Sequence, residues 1–345
     1  MKTNKSITHK DNNTKSNKTH QKSHKNRIKN WTAYNKSLVN RGDFYIAIED
    51  ALLTPVERTG KPGRPKLYSD LLIKVILEIR EFIGGPFRQT AGLVSFIVRL
   101  AKLSVKVPDY TTLNKRMSRI DFNLNLEPKR IAGPIYLLVD STGLKTCGEG
   151  EWKDHKHGRD KRRGWAKLHV GYDYDSEQIV AFEVTSESVA DEKELPAILA
   201  QAKSSGIPIK QIIGDGAYDS NELYKIVESN YIDDKKPELG KIGLLAPPPT
   251  NAVWHGKLKG DQLVEESGWE TRNGYVGRCM IYGREIWKEM SGYHRRSLAE
   301  TAMYRLKKAF TGELKSKKDE HRVKEIAIRI GLLNRWTNQG TPMYT

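Results

Sequence analysis

The chain has 345 residues, of which 37% are hydrophobic, and a formal net charge of +17. That length allows two domains, or one large domain with an appendage, and the charge points to a polyanion partner, most simply nucleic acid. Two cysteines, Cys147 and Cys279, stand far apart with no Cys-x-x-Cys pair; a structural zinc or a disulfide framework is not expected, a reducing cytoplasm fits, and no apolar run reads as a signal peptide or membrane span.

Residues 1–30 hold nine Lys or Arg and one Asp, about half of the excess charge, and almost nothing apolar. Such a segment cannot offset the entropy of ordering and is expected to be disordered. It reads either as an arm for DNA or as a solvated extension. Residues 31–130 read as a helical DNA-binding region. Its first part carries short apolar pieces such as 44–48, then Lys61-Pro62-Gly63-Arg64-Pro65-Lys66, a plain linker or a minor-groove strand. A helix is expected over 70–83, capped by Ser69 or Asp70 and stopped at Gly84-Gly85-Pro86. A second runs from about Arg88 to Leu103. A third, capped by Asp109, spans Tyr110 to Ile120 and carries Arg116 and Arg119. Helix, turn and helix with a basic last helix suits a DNA reader, and equally a small helical bundle with a solvated basic face.

The pattern changes at Pro134, and residues 131–345 read as an α/β domain. Residues 135–139 form an apolar strand ending at Asp140. Strands follow over 165–172 and 178–185, a helix over 191–204, and a fourth strand over 210–214 ending at Asp215. A helix over 221–229 and a strand over 242–246 come next. Residues 250–290 read as an insertion, and a last helix over 323–336 docks on the core. The expected fold is a mixed sheet flanked by helices, with aspartates at the strand ends. No phosphate-cradling glycine motif occurs, so a nucleotide fuel is not indicated.

Between the insertion and the last helix lies Ser291 to Lys308, containing Tyr293, Arg296, Glu300 and Lys307. On one α-helix these four fall at roughly 0°, 300°, 340° and 320°, a narrow polar stripe opposite an apolar face. Glu300 can serve a metal site from that stripe, or close a capping box with Ser297. Asp140, Asp215 and Glu300 come from three elements, and three converging carboxylates need cations to neutralise them. Hard oxygen ligands select Mg²⁺ or Mn²⁺. Two such ions about 4 Å apart suit in-line displacement at a phosphodiester. His155 and His157 lack a third ligand, Cys147 lacks a base, and Asp219 reads as a support for Asp215 or a helix cap.

The segments FRQTAGLVSF from Phe87, VPDYTTLNKR from Val107, VDSTGLK from Val139, IGDGAYDS from Ile213 and SGYHRRSLAET from Ser291 carry a resemblance. With Y-x2-R-x3-E-x6-K, they resemble the DDE transposases of bacterial insertion sequences, specifically the insertion sequence 5 group. The resemblance spans Gly63 to Thr337. It implies an RNase H-like core with Asp140, Asp215 and Glu300 as catalytic metal ligands, and DNA contacts near the cut from Tyr293, Arg296 and Lys307. It also implies Mg²⁺ or Mn²⁺, terminal inverted repeats and target DNA as partners, a homodimer in the synaptic complex, and a bacterial cytoplasmic protein associated with DNA. Two other readings stay open: a DNA-binding protein that has lost catalysis, and an RNase H-like nuclease that cuts without joining.

Overall fold

The computed structural model describes residues 27–43, 50–56, 66–103, 105–131, 133–146, 164–230, 243–259, 262–265 and 268–344. The tail through residue 26, the apolar piece 44–48, residues 61–65, Cys147, His155 and His157 lie outside them.

A short helix α1 (Trp31–Asn40) opens the described chain. Helix α2 (Asp70–Ile83) has the expected bounds. The Ser69 hydroxyl accepts the Leu72 N–H at 3.1 Å, and Gly84, at φ 64°, ends the helix in the left-handed region open to glycine. Its apolar residues from Leu72 to Ile79 are buried on nearly all sides. Helix α3 (Phe87–Leu100) and helix α4 (Tyr110–Met117) pack beside it. Asp109 caps α4 by accepting the N–H groups of Thr111 and Thr112. This helix stops three residues before the expected end, because the Arg119 N–H turns back to the Arg116 carbonyl.

The centre of the fold is β1 (Ile135–Thr146), flanked by β2 (Trp165–Asp173) and β3 (Ile179–Ser186) on one side. On the other side stand β4 (Ile209–Ile213) and β5 (Gly243–Leu245). The order is β3-β2-β1-β4-β5, with β1, β2 and β3 antiparallel in turn and β4 and β5 parallel to β1. This mixed sheet is RNase H-like. Helices α5 (Asp191–Ser204) and α6 (Asn221–Asn230) cover the face carrying Ile135, Leu137 and Val139. The opposite face, carrying Leu138 and Leu144, lies under α9 (Ser297–Phe310) and α10 (Asp319–Gln339). Alternation of side chains along the strand separates these two cores.

The insertion contains a hairpin, β6 (Gly256–Lys259) with β7 (Gln262–Glu265), then α7 (Glu270–Tyr282) and α8 (Arg284–Ser291). After α9 the two-residue strand β8 (Glu313–Leu314) returns to pair with the end of β1. Two expectations need correction. Strand β1 does not end at Asp140 but runs on through Thr146, because β2 pairs it as far as Lys145 and β8 takes Lys145 and Thr146. Nor do Tyr293 and Arg296 lie on the α-helix of Glu300. Gly292, at φ 70°, closes α8, and Tyr293–Arg296 form a 3-10 turn before α9 begins at Ser297. No described helix is long and apolar enough to cross a membrane.

Candidate active site

Asp140 stands at a fork in the sheet. On the side away from β2, β1 pairs with β4 only over Ile135 to Leu138, and with β8 only at Lys145 and Thr146. Between these stretches the strand edge has no neighbouring strand among the described residues. The 3-10 turn and the start of α9 approach there. Asp215 follows the C-terminal end of β4 and caps the next 3-10 turn, Gly216–Tyr218. Gly214 makes that turn possible, since a Cβ there would lie 2.7 Å from the Tyr218 ring. Tyr218 is buried beneath the site, and burial, then Asp191, Asp215 and Asp140, hold its phenol well above the usual range.

Each aspartate commits one oxygen to the backbone and turns the other outward. Asp140 Oδ1 accepts the Ser141 N–H at 2.8 Å, and Asp215 Oδ1 accepts the Ala217 N–H at 2.8 Å. Both Oδ2 atoms face Arg296, whose Nη2 lies 3.6 Å from Asp140 and 3.9 Å from Asp215. Arg296 Nη1 donates to Glu300 Oε1 at 2.7 Å. One guanidinium therefore bridges carboxylates from β1, the end of β4, and α9. The side chains grade outward, from 13% exposed at Asp140 through 36% at Asp215 to 59% at Glu300, so a ligand meets Glu300 first. Burial raises the pKa of Asp140; the nearby carboxylates add to this, and the Ser141 N–H and Arg296 oppose it. Burial works against the Arg296 charge, but Asp140, Tyr293 and Glu300 outweigh it and hold the group above its usual value.

The capping box is absent: the Ser297 hydroxyl donates to the His294 carbonyl, and Glu300 accepts from Arg296 instead. Tyr293 is half-buried against Trp287, with ring centroids 6.3 Å apart, and burial leads the rise in its pKa. Lys307 is half-buried in the last turn of α9, about 10 Å along the axis from Glu300. Arg116 and Arg119 lie apart from this centre. Arg119 is exposed, whereas Arg116 donates to the Tyr68 carbonyl at 2.7 Å and pairs with Asp70.

Sequence reasoning missed Asp191 and Arg272. Asp191, read only as a helix start, pairs with Lys167 at 2.8 Å and His169 at 3.3 Å. Burial alone would raise its pKa, but Lys167 and the Ser141 hydroxyl outweigh burial and hold it down. The cross-strand pairing of Ser141 with His169 was the signal, and it is visible only once the register is known. Asp219, read as a support or a cap, is almost fully buried and receives Arg272 of α7, with Nε 3.1 Å from both carboxylate oxygens and Nη2 2.9 Å from Oδ2. The Tyr224 hydroxyl joins at 3.2 Å. Arg272 also reaches the Val253 carbonyl, fastening the insertion to the segment that carries Asp215.

The family model described as "Transposase DDE domain" matches residues 132–335, and a second model with that description matches residues 39–149. The chain belongs to the DDE transposase family. Among solved structures, this DDE transposase is similar to a chain of the "Drosophila P element transposase strand transfer complex", at 12% identity and a TM-score of 0.34, covering 88% of this chain and 86% of that one.

The donor set suits a divalent ion. All three acids are hard oxygen ligands, two present a free oxygen each, and a cation already lies among them. Among the described residues no three Asp, Glu, His or Cys side chains close on one point. The three carboxylates are gathered around a guanidinium, which is wider than an ion.

Proposed function

We propose that the chain binds the terminal inverted repeats of its own mobile element and catalyses DNA cleavage and strand transfer at Asp140, Asp215 and Glu300. The observation that carries this reading is the convergence of the three carboxylates on Arg296, within 4 Å of each. The three would hold two Mg²⁺ or Mn²⁺ ions. When bound, such ions supply Lewis-acid activation of an attacking water or 3′-hydroxyl and stabilise the leaving oxygen.

The chain's own residues supply position and charge. The backbone bonds to Asp140 and Asp215 fix the direction of their free oxygens, so no side-chain search precedes ligand binding. Tyr293, Arg296 and Lys307 line the approach to Glu300 and hold the DNA strand near the cut. Arg119 contacts DNA from the end of α4, and Arg116 does so on leaving Asp70. Two copies acting on two element ends make a homodimer the working unit. The 1–30 tail, the helical region to residue 130 and the domain from 131 divide the labour between end binding and chemistry.

Asp140→Asn, Asp215→Asn and Glu300→Gln test the site in a cleavage assay on labelled DNA carrying the repeats that flank the gene. Each should fall below about a tenth of wild-type cleavage, since each weakens a ligand at nearly constant size. Binding to the ends should persist. A variant that keeps more activity removes its residue from the site, and cut products never joined to target DNA would reduce the enzyme to a nuclease.

A further inference from the structure

We propose that Arg296 is the exchangeable cation of this site: it neutralises the three carboxylates while metal is absent, and metal binding drives it out toward the DNA. The inference rests on the reading of Asp140, Asp215 and Glu300 as metal ligands.

The geometry of Arg296 carries it. Its hold is uneven, with one hydrogen bond of 2.7 Å to Glu300 and two ion pairs of 3.6 and 3.9 Å, too long for hydrogen bonds. Its Nε is buried and has no acceptor among the described residues. Arg272, by contrast, spends Nε and Nη2 on Asp219 at 2.9–3.1 Å and Nη1 on the Val253 carbonyl. Arg296 sits where charge demands a cation, at distances that give each aspartate little.

A divalent ion approaches carboxylate oxygens to about 2.1 Å. It competes directly for the two Oδ2 atoms that Arg296 touches only loosely. Both cannot stay, because the guanidinium fills the space between the acids and like charges repel. The 3-10 turn gives Arg296 an exit, since its side chain is not inside a helical packing face and lies beside the exposed Glu300. Once out, its planar fork suits a DNA phosphate. Arg296 thus keeps three clustered acids tolerable without metal, and its release delivers a phosphate ligand only when the site is loaded.

Titration calorimetry with Mn²⁺ on the full chain, without DNA, tests the exchange. Arg296→Met removes the charge at similar length and should bind Mn²⁺ at least about tenfold more tightly than wild type, because the competitor is gone; Arg296→Lys should fall between. Wild-type protein should also show faster phenylglyoxal modification of Arg296, read by peptide mass spectrometry, when Mn²⁺ is saturating. This second measurement needs no variant to fold. Equal Mn²⁺ affinities for wild type and Arg296→Met, or labelling of Arg296 unmoved by Mn²⁺, would overturn the exchange. Asp140→Asn and Glu300→Gln proteins that bind Mn²⁺ as well as wild type would instead overturn the metal site itself, so the two failures are distinct.

Discussion

His169 is 1% exposed, and its ring nitrogens meet Thr185 at 2.9 Å and Asp191 at 3.3 Å. Burial lowers its pKa from the ordinary 6.5, and the pull of Asp191 does not reverse that. The folded chain therefore binds fewer protons here than the unfolded chain. Stability from this group is full above about pH 6.5 and is lost as pH falls toward the depressed folded value. Wild type should melt at progressively lower temperature as pH drops below about 6.5, and His169→Gln should flatten that part of the profile. Equal slopes for the two proteins would dismiss the effect. At this scale the sequence was partly legible. The types and spacing of Tyr293, Arg296, Glu300 and Lys307 marked a candidate site, but a helical wheel could not show that Gly292 breaks the helix or that Arg296 turns back onto Asp140. Asp191 and Arg272 escaped because their partners lie across a sheet or an insertion, where spacing carries no information.

Elements whose bounds are set by local chemistry were read well. Helix α2 begins at a serine cap and ends at a left-handed glycine, and α5 spans the expected 191–204. Elements defined by distant partners were not. The polar half of β1 reads as loop, yet it is a strand because β2 and β8 hydrogen-bond it from either side. The insertion shows the same dependence: its glycines and charges form no local pattern, and the Arg272–Asp219 pair fixes it in place. Arg272→Ala should leave Asp219 buried and unpaired, costing about 3–5 kcal/mol of stability. Replacing both, with Asp219→Asn beside Arg272→Met, should cost less than the single change, since no lone charge remains buried. Chemical denaturation of the single and double variants measures this. If the double variant is the less stable of the two, the pair acts through packing and not through charge.

Across the whole molecule, charge does two separate things. In sequence, residues 1–30 supply about half of the excess positive charge. The Lys29 N–H bonds the Met343 carbonyl and Asn30 bonds Thr341 and Met343, which ties the start of the described chain to its end. Deleting residues 1–26 should leave melting unchanged and flatten the dependence of DNA affinity on salt, each lost phosphate contact lowering the log–log slope by about 0.9. An unchanged slope across a salt titration would mean the tail does not touch DNA. Inside, charge joins helices far apart in the sequence. Arg329 of α10 contacts Glu81 of α2 at 2.9 Å and Glu325 at 2.5 Å, all three almost fully buried, and Glu325 accepts the Lys315 and Ser316 N–H groups just after β8. Arg80 pairs with Glu81 at 2.6 Å. The same α10 supplies Asn334, whose side chain satisfies both backbone groups of Ile179 at the start of β3. These partners lie 248 and 155 residues apart. Translation therefore delivers Asp140, Asp215 and Glu300 before the last helix, which packs under the sheet that carries Asp140, is complete. A chain stopped by a nonsense codon between Glu300 and Asp319 would carry all three acids without the helix that packs beneath them.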